Sequence, residues 1–137
     1  MQLNALVAVV AAAFMLTACN KAETPAEVAR DVQKAKAEGT REVADARADV
    51  QEANADADKQ VADAIADRDN DEVAKQAHDA NERFDEGNSK IVIAQAEATH
   101  KVAVEKCDAL EGSAQRECKD KADKALDQAK QTAKVNR

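Results

Sequence analysis

The chain has 137 residues, a formal net charge of −7, 34% charged residues and 1% aromatic residues. An acidic balance works against nucleic acid, whose affinity comes from cationic contacts with phosphates, and Phe84 is the only aromatic after residue 18, which leaves no platform for stacked bases or sugars. After residue 18 only 16 of 119 residues are Val, Ile, Leu or Phe, about 13% and below the level at which a charged chain builds an ordinary globular core.

Residues 1–18 read as an export signal. An apolar run, Ala5 to Met15, is followed by Leu16-Thr17-Ala18-Cys19. The start Met1-Gln2-Leu3-Asn4 carries no Lys or Arg, although such signals usually begin with a charged stretch. The apolar segment falls short of the roughly 20 residues a spanning helix needs. Leu16 to Cys19 resembles the lipobox of bacterial lipoproteins. The resemblance implies cleavage before Cys19, acylation of its thiol and new amino group, and a tether over residues 19–24. In that family Asn20, in place of Asp, points to the outer membrane and its periplasmic face.

Two outcomes remain for the mature chain: disorder, or long helices that bury narrow Ala and Val seams. Ala is frequent there, 27 of 119 residues, with one Pro and three Gly. Ala, Glu, Lys, Arg and Gln are strong helix formers, whereas disordered linkers run richer in Pro, Gly and Ser. Helix is therefore expected, with fraying and partial disorder. No period-two run of β-branched residues supports a strand. The expected fold is all-α: a long Ala-rich, partly disordered helical rod followed by a disulfide-linked helical hairpin.

Thr24-Pro25-Ala26-Glu27 carries a helix start, with Thr24 as cap, Pro25 in the first turn and Glu27 completing a capping box. The acidic rod spans residues 25–86, with Gly39 as a bend or a tolerated flaw. Residues 19–37, 38–86 and 90–137 carry net charges of +1, −10 and +2. Val32, Val43 and Ile65 follow an 11-residue spacing with Asn54 in the vacant slot, and Val50 and Val61 repeat it. Eleven residues over three turns favours straight or slightly right-handed supercoiled helices. Ala46, Ala53, Ala57 and Ala64 fill in nearby. The pattern also resembles the Ala-rich repeats of late-embryogenesis-abundant proteins, in degenerate form. Asp67 to Glu72 offers a break, with Asp69 or Asn70 as a new cap. Gly87-Asn88-Ser89 reads as the rod's end, with Gly87 as C-cap.

Residues 90–137 read as a helical hairpin, about 90–111 and 114–134, turning at Gly112-Ser113. One seam runs Ile91, Ala94, Ala98, Val102 and ends near Leu110. The other presents Cys118, Ala122, Leu126 and Ala129.

Three cysteines in an exported chain need explaining. With Cys19 lipidated, Cys107 and Cys118 remain. On one helix they would stand about 16 Å apart along the axis, and a disulfide needs Cα atoms within about 7 Å. Gly112-Ser113 midway allows the reversal that a Cys107–Cys118 bond requires; two free or intermolecular thiols are the alternative. The Cys-x-x-Leu-x-Gly…Cys pattern over Cys107, Leu110, Gly112 and Cys118 resembles small Ala-rich envelope proteins of proteobacteria, and implies no activity.

Catalytic, metal and cofactor chemistry is not expected. Two cysteines without a nearby His make no zinc set. His78 and Glu82 share a helix face and read as an exposed pair; His100 reads the same way. No Gly-rich phosphate loop is present, and so small a core cannot wall a pocket that would activate a thiol. The expectation is a structural or interaction lipoprotein, not an enzyme. It would be anchored through Cys19, contact no nucleic acid, and self-associate through its helical seams. The layout is similar to that of the small Ala-rich major outer-membrane lipoproteins, which are trimeric coiled coils. Some of those join peptidoglycan through a C-terminal Lys; here the chain ends on Arg137, with Lys134 three before it. Lys130, Lys134 and Arg137 read either as complements to a helix dipole or as a contact with an anionic envelope polymer. The competing expectation is a stress-protective hydrophilin that orders on drying or at a membrane; a further one is a small binding subunit of a larger envelope machine.

Overall fold

Thr24 starts the first helix as its sequence suggests. Its side chain accepts the Glu27 N–H at 3.3 Å, and the Glu27 carboxylate accepts the Thr24 N–H at 3.0 Å. In the computed structural model, which describes residues 22–135, this capping box opens α1 (Pro25–Ala66). Helices α2 (Asn70–Cys107) and α3 (Gly112–Val135) follow, and the described residues contain no strand. The expected signal segment 1–18, Cys19, the start of its tether and Arg137 lie outside the described residues.

The chain reverses at residues 67–69, where Arg68 adopts φ 58°. Asp69 caps α2, its carboxylate accepting the N–H groups of Asp71 and Glu72 at 3.1 Å. The helix end expected at Gly87-Asn88-Ser89 is not formed, because both flanking residues are used for packing. Gly87 is buried where a Cβ would lie 2.8 Å from the Val50 Cγ1. Ser89 is buried and donates its hydroxyl to the Ala133 carbonyl at 2.8 Å. The acidic rod is therefore two helices, α1 and the first part of α2, laid against each other, and α2 runs unbroken into the first arm of the hairpin. The hairpin turn occupies residues 108–111, somewhat earlier than expected, and Gly112 opens α3 at φ 59°.

Two contacts set the α1–α2 register. Gly39 faces Ala98, and Val50 faces Gly87. The steps are eleven residues along each helix in opposite directions, so the pair is antiparallel and keeps one register. The 11-residue pattern in α1 is the seam itself. Val32, Ala35, Gly39, Val50, Ala57 and Ala64 are buried, and Val43, Ala46, Asn54 and Val61 are half-buried between them. Steps of three, four and four residues add to eleven, which keeps the stripe straight on a 3.6-residue helix. Ile65 departs from expectation: it is 58% exposed, and Ala64 takes the seam position in the last turn. Ala53 is exposed as well.

Helix α2 is the middle of a flat layer. Gly87 and Ala98 face α1, while Ser89 and His100 contact α3. Residues two apart point about 200° from each other on a 3.6-residue helix, so α1 and α3 flank α2 on opposite sides. Among the described residues α1 and α3 do not touch. The layer is one helix thick, and its long edge, α1, measures about 63 Å at 1.5 Å per residue over 42 residues.

Candidate functional site

The hairpin turn and the entering chain meet at one end of the layer. Cys107 and Cys118 form a disulfide with Cα atoms 5.6 Å apart, and Cys107 is 1% exposed. Asp108 sits at the centre. It receives the Gln115 amide at 2.9 Å and the Lys119 ammonium at 2.7 Å. Its backbone carbonyl accepts the Glu23 N–H at 2.9 Å, and Glu111 accepts the Ala22 N–H at 3.3 Å. The chain thus enters α1 pinned to the disulfide turn. The Glu23 carboxyl is held above its usual range by burial, and by the neighbouring charges of Asp108, Asp31, Glu105 and Glu27. Its Oε2 has no hydrogen-bond partner. Glu27 is held below the usual range, chiefly by its hydrogen bonds with the Thr24 side chain and backbone.

Ion pairs tie the helices farther along. His100 Nε2 lies 2.6 Å from Asp123 Oδ1, and Lys130 Nζ lies 2.7 Å from Glu97 Oε1, both across α2–α3. Lys101 meets Glu42 across α1–α2, and that hydrogen bond raises the lysine above its usual pKa. None of these pairs was legible in the sequence: each joins residues at least 23 positions apart, with no local spacing to announce it. Of the three C-terminal cations, Lys130 is engaged by Glu97, Lys134 is exposed in the last turn, and Arg137 lies outside the described residues.

Over residues 31–49 of α1 and 92–106 of α2, the two broad sides of the layer differ in charge. On one side, a groove of about 720 Å³ between α1 and α2 is lined by Val43, Ala98 and Val102, with Lys36, Arg47 and Lys106 around it and no acid. It continues through Gln95, Thr99 and Ala103 toward Leu126 and Ala129 of α3, again without an acid. The opposite side is acidic on balance, with Asp31, Glu38 and Glu105 near one end and Glu42, Asp45, Asp49 and Glu97 beyond, around Lys34 and Lys101.

His78, Asp79 and Glu82 offer three ligand atoms within 4.8 Å of one another, with His78 and Glu82 exposed on α2. His78 Nδ1 lies 3.9 Å from Asp79 Oδ1 and from Glu82 Oε1. Among the described residues no helix is long and apolar enough to cross a membrane.

Comparisons with protein-family models, with characterised proteins and with solved structures found no match.

Proposed function

We propose that this chain is a lipid-anchored structural spacer of the bacterial cell envelope, held in the outer membrane by acylated Cys19 and projecting its helices into the periplasm. The observation that carries the reading is the lipobox Leu16-Thr17-Ala18-Cys19 closing an apolar run. The layout of the described part agrees with it. The chain enters at the disulfide-linked end. Only residues 19–24 separate the anchor from α1, a reach of at most about 20 Å at 3.3–3.6 Å per residue. The α1–α2 turn would then stand about 60 Å farther out, by the rise of α1. A buried disulfide also fits an oxidising compartment. More than one acyl chain makes such an anchor stable, at roughly 0.8 kcal/mol per buried CH₂.

The test is Cys19→Ser. The spacer reading expects the variant to leave the membrane fraction and to keep its uncleaved length. A variant that stays membrane-bound at the wild-type size overturns it.

A further inference from the structure

We infer that the two broad sides of the layer are complementary docking surfaces for each other, so that copies of this chain stack face to back in a row. The occupant of the basic groove is the acidic side of a second copy.

The argument begins with what the fold leaves open. A layer one helix thick buries only the edges where its helices meet. Among the described residues nothing covers either broad side, and one carries an apolar floor, Val43, Ala98 and Val102. Charge then selects the arrangement. Basic side on basic side would oppose Lys36, Arg47 and Lys106, and acidic on acidic would oppose seven carboxylates offset only by Lys34 and Lys101. Only basic on acidic joins opposite signs, and like-charge juxtaposition disfavours the other two.

Height along the layer narrows it further. Arg47 and Lys106 make no ion pair among the described residues, and neither do Asp45, Asp49 and Glu105 on the other side. Arg47 falls midway between Asp45 and Asp49 on α1, within about 3 Å along the axis of each. Lys106 is next to Glu105 on α2, about 1.5 Å along the axis. A copy shifted straight sideways, with no slip along the helices, therefore brings unpaired bases level with unpaired acids at two heights.

A sideways shift leaves every copy pointing the same way. This part rests on the anchored reading: all the Cys19 ends then face one membrane, which a head-to-tail or inverted pairing would not allow. Such a contact is heterologous, and without a closing rotation it propagates as an open row.

The experiment uses full-length protein carrying two different tags, co-expressed and cross-linked with formaldehyde in intact cells. Wild type is expected to give mixed-tag dimers and a ladder of larger species. R47E/K106E makes both sides acidic, and D45K/D49K/E105K makes both sides basic. Each is expected to lower the mixed-tag product by on the order of tenfold or more when paired with itself. Co-expressing the two restores it, because each reversed side meets an opposite one. Circular dichroism and an intact disulfide establish that the variants fold. Wild-type monomer alone, a product joining the chain only to other proteins, or no restoration on mixing overturns the stack. Cys19 acylation is read separately by mass. Monomer with acylated Cys19 removes the stack alone, and a ladder without acylation removes the anchor alone.

Discussion

Gly39 and Ala98 meet so closely across α1 and α2 that a Cβ on the glycine would lie 2.6 Å from the Ala98 Cβ and 3.0 Å from its Cα. A main-chain atom cannot swing aside as a side-chain end can. Gly39→Ala gains about 1 kcal/mol of helix propensity and meets an overpacking cost of about 1–3 kcal/mol. The expected net is a loss of about 1 kcal/mol in denaturant unfolding. Gly39→Ala combined with Ala98→Gly removes the 2.6 Å contact and leaves the 3.0 Å approach to the main chain, so the relief is partial. Gly87→Ala meets only the Val50 methyls, at 2.8 and 3.2 Å, so its cost is smaller and Val50→Ala relieves it.

The disulfide holds α3 on a narrow contact. Cys107 and Cys118 are 11 residues apart, and closing so short a loop stabilises by about 3 kcal/mol in the chain-entropy model. Cys107→Ala with Cys118→Ala is expected to lower stability by about that amount. Amide exchange would rise first in α3, whose only helical neighbour among the described residues is α2. Equal loss of protection in α1 and α3 would contradict a hierarchy in which α3 depends on the bond.

At the far end of the hairpin, Ser89 supplies a hydrogen bond to α3. The Ala133 carbonyl lies in the last turn of α3, where carbonyls lack intrahelical partners. Ser89→Ala removes its side-chain partner among the described residues, at a cost of about 1–2 kcal/mol. Faster exchange confined to the last turns of α3 is the expected signature.

Two adjacent carboxylates respond to pH in opposite senses. The Glu23 pKa is raised from 4.5, so the folded chain prefers its protonated form. Its stabilisation is present below 4.5 and lost as pH rises through the raised folded value. The Glu27 pKa is lowered from 4.5, so its stabilisation is present above 4.5 and lost as pH falls through the lowered folded value. Protection of the Glu23 N–H is expected to rise as pH falls from neutrality toward 4.5, and Glu23→Gln should remove that rise. Protection unchanged across the range in the wild-type chain would contradict it. Thr24→Ala removes the cap and costs about 1 kcal/mol at neutral pH.

Much of the fold was legible because its signals are local. The Thr24–Glu27 box, the 11-residue seam and the Cys107–Cys118 pair each declare themselves by spacing within a few turns of chain. The helix runs through the rod end that the sequence suggests, because Gly and Ser carry two meanings. Gly87 and Ser89 have the chemistry of a helix stop, yet here they admit Val50 and hold Ala133, needs that exist only once the partner helices are in place. Ile65 continues the 11-residue spacing, but each such step drifts about 20° on a 3.6-residue helix, and Ala64 takes the seam position. The charge of the two broad sides was hidden for a related reason. The acidic stretch 38–86 suggests one uniformly negative rod, and only the α1–α2 register separates Lys36, Arg47 and Lys106 from the carboxylates.

The mass of the intact protein purified from membranes without reductant tests the central claim most directly. The account predicts a chain that begins at Cys19, carries the added mass of more than one acyl chain, and is two hydrogen atoms lighter than the reduced form because Cys107 and Cys118 are joined. A protein that retains Met1 and has an unmodified Cys19 would contradict it.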